Sequence, residues 1–142
     1  MLRNARRAGF TLIELLVVIV VIAVLAGLVG PMVFRNVGDA KVTAAKAQLE
    51  LFGLALDQYR LDNDYYPSST QGLEALRTLP LGEPAARNWR GPYLKKAIPL
   101  DPWGRSYVYK SPGDKSSSGY DLGSYGRDGQ PGGGGEDRDV VE

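Results

Sequence analysis

With 142 residues, 17 basic and 16 acidic side chains and a net charge of +1, the chain has room for one small domain beside any anchor. It contains no histidine and no cysteine, which removes Ser/His/Asp and Cys/His catalytic arrangements, the commonest metal ligand and any disulfide staple. Without those arrangements enzymatic activity is not expected, and because the charges are spread along the chain neither is nucleic acid as a partner.

Arg3, Arg6 and Arg7 precede a run from Phe10 to Phe34 whose single charged residue is Glu14. About 20 apolar residues at 1.5 Å rise cross the roughly 30 Å hydrocarbon core of a bilayer, so one membrane-spanning helix is expected over 10–34. Basic residues ahead of a first span predict a cytoplasmic N-terminus and an outer-side C-terminal domain. The run exceeds a secretory h-region and ends without an Ala-x-Ala-like site, although a simple signal anchor stays open as an alternative. A carboxylate in hydrocarbon costs roughly 2.5–3.5 kcal/mol, so Glu14 calls for a partner charge or a partner chain. Gly9-Phe10-Thr11-Leu12-Ile13-Glu14 resembles the cleavage and methylation motif of type IV pilins and pseudopilins. The resemblance implies that a prepilin peptidase removes a leader, residues 1–9, by cutting after Gly9, and methylates the amine of Phe10. It also implies that Glu14 is an assembly residue, paired with the Phe10 amine of the next subunit.

Beyond Val37 the pattern becomes helical, with Val42, Ala45, Leu49, Phe52, Leu56 and Tyr59 at steps of three and four. This stripe is expected to pack on the domain's own core, while Leu51, Leu54 and Ala55 are expected to face neighbouring helices. Helices of the pilin class continue from the membrane into the soluble domain, so Phe10 to about Leu61 reads as one helix, able to bend at Gly27, Gly30, Pro31 or Gly38. Asp62-Asn63-Asp64 reads as a helix exit, because Tyr66-Pro67 breaks the EF-hand pattern. Ser68–Leu76 predicts a short helix capped by Ser69 or Thr70, and Leu81–Pro92 an ordered loop pinned by Trp89. Segments 105–110 and 119–124 predict an antiparallel hairpin that must lie on the helix, with Trp103, Tyr107 and Tyr109 closing the core.

Taken together, Tyr59-Arg60-Leu61-Asp62-Asn63, Tyr66-Pro67, Thr70-Gln71-Gly72-Leu73, Trp89, Gly91-Pro92-Tyr93-Leu94 and Asp101-Pro102-Trp103-Gly104 resemble the major pseudopilins of type II secretion. That resemblance implies an α+β, type IV pilin-like fold: a long N-terminal helix, half transmembrane and half amphipathic, packed on a small antiparallel sheet with ordered loops. Residues 35–142 would form a periplasmic globular domain below an inner-membrane helix. The implied role is a structural subunit polymerising into the periplasmic pseudopilus that drives export of folded proteins. Implied partners are further copies of the chain, minor pseudopilins, the inner-membrane assembly platform, prepilin peptidase and membrane lipid. A major pilin of a surface type IV pilus is the alternative, weakened because such pilins often close their C-terminal loop with a disulfide.

The segment from Tyr120 to Asp139 gathers acidic residues among many glycines. From its residues alone the first reading is a disordered acidic tail, with a hard-cation loop second, since Ca2+ takes six to eight oxygens from carboxylates and carbonyls. The resemblance reverses that order. It implies a calcium loop with Asp128 and Asp139 as side-chain ligands, Asp137 as a third, and the carbonyls of Tyr125 and Gln130 as main-chain ligands. Arg127, where the family usually has a small residue, and the ending Val140-Val141-Glu142 depart from the family pattern.

Overall fold

A computed structural model describes residues 9–142, which fall in two compact units meeting between Val37 and Gly38. Most of the expected leader, residues 1–8, lies outside the described residues. Helix α1 runs from Leu12 to Asn63, so Pro31 does not end it. In the first unit the 18 residues Leu12–Val29 are long and apolar enough to cross a membrane, and their side chains are exposed. Leucine, isoleucine and valine side chains exposed in this way are suited to a hydrocarbon solvent.

In the second unit the expected stripe is the core. Val42, Ala45, Leu49, Phe52, Leu56 and Tyr59 are all buried, with Leu73, Leu76, Tyr120, Leu122 and Val140 packed in the same cluster. Ala55 is buried as well, which corrects its expected place on the outward face. It lies one position from Leu56, and a core-facing stripe at least 100° wide takes in both. Leu51 and Leu54 are exposed as expected. The helix ends where Asp64 turns to φ 70°, and the buried Asn63 amide donates to the Tyr59 carbonyl at 3.1 Å.

Three short strands cover the helix: β1 (Val108–Lys110), β2 (Asp121–Ser124) and β3 (Val140–Val141), in the order β1-β2-β3 and antiparallel throughout. Val108 pairs with Gly123, and Gly123 with Val141. The expected hairpin is present with shorter strands; β3 is additional. Trp103, Tyr107 and Tyr109 pack on the core, Tyr107 edge-on to Phe52 with ring centroids 5.1 Å apart. Trp89 pins its loop by donating from Nε1 to the Ala75 carbonyl at 2.9 Å.

The capped helix near Ser69 is not formed. A single 3-10 turn, Leu73–Leu76, starts instead after Gly72, whose φ of 60° suits glycine. Ser69 serves the strand: its Oγ donates to the Ser111 carbonyl at 3.0 Å and accepts from the Ser111 N–H at 2.9 Å. Thr70 shares a hydroxyl bond with Ser68 at 2.9 Å. Gly53 on α1 leaves room for the Glu142 carboxyl, which a Cβ would overlap, and that carboxyl accepts from the Tyr120 hydroxyl at 2.9 Å.

Asp121 organises the β1–β2 connection. Its carboxylate accepts main-chain N–H bonds from Asp114 at 2.8 Å, Lys115 at 3.1 Å and Ser116 at 2.8 Å. The Asp114 N–H is the largest cause holding this carboxyl below its ordinary value; desolvation opposes it, and Ser116, Lys115 and the Lys110 charge add to the lowering. A lowered folded pKa contributes stability above the unfolded value of about 3.9, and that contribution is lost as pH falls through the folded value. Asp121→Asn is therefore expected to lower the thermal midpoint at pH 7 and to flatten its acid dependence below about pH 4; the same acid leg in both proteins would remove Asp121 from this role.

Candidate functional site

Two regions carry the chemistry expected of the chain, one in each unit. At the start of α1, Gly9 and Phe10 precede the helix, both exposed, and among the described residues no side chain crowds Gly9. An open glycine peptide is what a peptidase needs to bring its catalytic groups to the carbonyl. Glu14 meets Thr11: its Oε2 accepts from the Thr11 N–H and hydroxyl, each at 3.2 Å, and the Glu14 N–H donates to Thr11 Oγ1 at 3.3 Å. That is a reciprocal capping box, Thr11 at the N-cap and Glu14 at the third helical position, satisfying donors that a helix start leaves free. Its signature, Thr-x-x-Glu, stands in the sequence at Thr11 and Glu14.

The second region is the loop from Tyr125 to Asp139, which connects β2 to β3. Gly126, Gly129, Gly132, Gly133 and Gly135 all have positive φ, between 64° and 99°, so the loop's course depends on glycine. Asp128 Oδ1 accepts from the Gln130 N–H at 3.0 Å, and Asp139 Oδ2 from the Gly132 N–H at 3.0 Å. Asp139 Oδ1 is buried with no hydrogen-bond partner among the described residues. Asp137, expected as a third ligand, is instead held by Arg127, which donates from Nε to Oδ1 at 2.8 Å and from Nη2 to Oδ2 at 3.0 Å. The guanidinium keeps the Asp137 carboxyl below its ordinary value. Among the described residues no three acidic side chains come together as a metal-sized cluster, so Asp128, Asp137 and Asp139 do not form a ligand set by themselves. The Tyr125 and Gln130 carbonyls accept no hydrogen bond among the described residues.

Beneath this loop lies a network that sequence reasoning did not assign. Asp101 is buried; its Oδ1 accepts from the N–H of Trp103 at 3.0 Å and of Arg105 at 2.8 Å, and its Oδ2 from Ser124 Oγ at 2.5 Å. Ser124 Oγ in turn accepts from the Gly126 N–H at 3.2 Å. A buried carboxylate is tolerated when its lone pairs are filled this way. Arg105 reaches from the same turn into the loop, donating from Nη1 to the carbonyls of Gly126, at 3.0 Å, and Arg127. In the sequence Asp101-Pro102-Trp103-Gly104 carries only the family resemblance, and no local pattern connects it with residues more than 20 positions away.

Residues 32–142 match the sequence model of type II secretion system (T2SS) protein G, and residues 4–30 that of the prokaryotic N-terminal methylation motif. The chain belongs to the type II secretion system protein G family. It is 47% identical over 140 residues to type II secretion system core protein G of Pseudomonas aeruginosa, covering 98% of this chain and 96% of the relative. With the protein of the same description from Vibrio cholerae it shares 43% over 141 residues, 99% and 94% of the two chains. The crystal structure of the major pseudopilin from the type 2 secretion system of enterohaemorrhagic Escherichia coli superposes with a TM-score of 0.65 at 38% identity, covering 75% of this chain and 90% of that one. Family membership thus agrees with the α+β architecture of a long helix and a small antiparallel sheet, and with an apolar N-terminal helix suited to membrane anchoring.

Proposed function

We propose that the chain is the major structural subunit of a type II secretion pseudopilus, a filament built from copies of itself, with a structural rather than catalytic role. The observation that carries this reading is the match to the protein G family over 32–142, joined to a methylation motif over 4–30. A surface pilus explains the N-terminus equally and is not favoured by the family match.

Assembly is supported by two surfaces of α1. In the globular unit, Ala40, Ala44, Ala47, Leu51, Leu54, Gln58 and Leu61 are exposed at alternating steps of four and three. A seam repeating every 3.5 residues is the pattern by which one helix packs against another, and we assign it to a neighbouring copy. At the N-terminus, prepilin peptidase would cut after Gly9 and methylate Phe10. Glu14 Oε2 serves Thr11, while Oε1 is available to the Phe10 amine of the next subunit, an ionic pair that offsets its desolvation. The other proposed partners are minor pseudopilins, the inner-membrane assembly platform and membrane lipid, with the globular unit on the periplasmic side.

For the C-terminal loop we propose calcium. Support comes from Asp139 Oδ1, a buried carboxylate oxygen without a donor, in a loop rich in accessible carbonyls. Asp139 and Asp128 would supply carboxylate oxygens and Tyr125 and Gln130 their carbonyls, with Asp137 left to Arg127. A bound Ca2+ would cross-link the two arms of the loop as an electrostatic staple.

Deletion of the gene is expected to trap folded exoproteins in the periplasm and leave surface pili unchanged; normal secretion with lost pili would transfer the chain to the pilus class. Glu14→Leu is expected to leave cleavage and membrane insertion intact while reducing filament yield at least about tenfold, as for loss of a buried charge pair. Efficient filament formation by this variant would sink the intermolecular role. Asp139→Ala is expected to abolish the rise in thermal midpoint on adding calcium to the chelated protein, and a full calcium response in this variant would exclude it as a ligand.

A further inference from the structure

The C-terminal loop contains its own cations. Five glycines at positive φ shape the loop, and each backbone carbonyl it turns inward needs a donor or a positive ion. Arg105 provides both at one position: Nη1 donates to Gly126 O and Arg127 O, two consecutive carbonyls at the loop's entrance. The Arg105 side chain lies against Gly129, where a Cβ would stand 2.5 Å from Nε and the backbone has φ 69°, so glycine here accommodates both the turn and the arginine. The backbone of Arg105 is anchored by the buried Asp101, whose other oxygen binds Ser124 at the end of β2. From the gripped segment Arg127 reaches across to Asp137 on the returning arm, two residues before Asp139. The path from Asp101 through Arg105 and Arg127 to Asp137 is unbroken, and each step is an ionic or charge-assisted contact.

We propose that Arg105 is a resident cation of the C-terminal loop, a positioning residue that, with the Arg127–Asp137 pair, holds residues 126–137 closed before any metal binds. The loop would then present Asp128 and Asp139 in place, and calcium would add to a formed structure instead of creating it. This deepens the calcium reading but does not depend on it, because the clamp acts in the metal-free protein.

Hydrogen exchange on the full chain in detergent micelles with excess chelator tests this. The reporters are the N–H groups of Gly126, Gln130, Gly132 and Asp137, each engaged within the loop or to Ser124. We expect protection at these amides in the unaltered chain, loss on the order of tenfold in Arg105→Ala, partial retention in Arg105→Lys, and unchanged exchange for residues 42–59 of α1. Unprotected loop amides in the unaltered chain under chelator, or identical exchange in Arg105→Ala, would overturn the proposal. If Arg105→Ala loses protection and added calcium restores it, both readings stand. If protection is lost and calcium restores none, the clamp stands and the calcium site falls.

Discussion

Burial of the Val42–Tyr59 stripe is the interaction on which the rest of the globular unit depends. Strands of three, four and two residues cannot form a stable sheet in water by themselves, and each gains its place by covering Leu49, Phe52, Leu56 and Tyr59. The tyrosines make this economical in chain length, since a tyrosine buries a large ring and brings a hydroxyl to a polar neighbour. Tyr93 donates to Asp62 at 2.9 Å, fixing its loop to the helix, and Tyr109 of β1 donates to the Pro67 carbonyl at 2.7 Å, fixing the strand to the segment that follows the helix. Tyr59 is the exception, its hydroxyl buried without a partner among the described residues; burial pushes it up to about 12, so it stays neutral. The opposite face of the same helix is apolar from Ala40 to Leu61 except at Gln58, so one element faces its own domain on one side and exposes a second seam on the other.

Features with a period were legible in the sequence. The buried stripe follows 3.6-residue spacing and is found where the chain predicts it, and the apolar run expected from length and hydropathy lies within α1. Ala55 was misassigned because alanine's small apolar surface fits either face, and only the width of the buried arc decides. Strand β3 escaped because two residues carry no alternation, and Val140 and Val141 follow a glycine run that reads as tail. The Ser69 cap failed because a serine hydroxyl suits many partners, and Ser111, 42 positions away, supplied a better one.

The site was legible in its composition and not in its pairing. Asp128 and Asp139 lie in the expected loop, but nothing local distinguishes Asp137 as the partner of Arg127 rather than of a metal. The arginine that departs from the family pattern selects among the acids by geometry, since its planar fork takes both oxygens of one carboxylate. The capping role of Glu14 was available from Thr11 three positions earlier. One carboxylate therefore serves its own helix start and, on the proposed function, a neighbouring chain, and the internal contact fixes its rotamer before the neighbour arrives.

Strand β2 lies at the centre of the sheet, yet its two neighbours arrive on very different terms. β1 is joined to it by a connection of ten residues, whereas β3 returns only after the fifteen residues from Tyr125 to Asp139. Closure of the shorter connection is entropically cheaper, so the β1–β2 ribbon is expected to form first and leave one edge of β2 with bare N–H and C=O groups. An unpaired edge of that kind templates addition of a strand from another chain. The glycine loop thus sets how long a newly made chain carries an adhesive edge, and every contact that draws β3 home shortens the interval in which copies can associate in the wrong way.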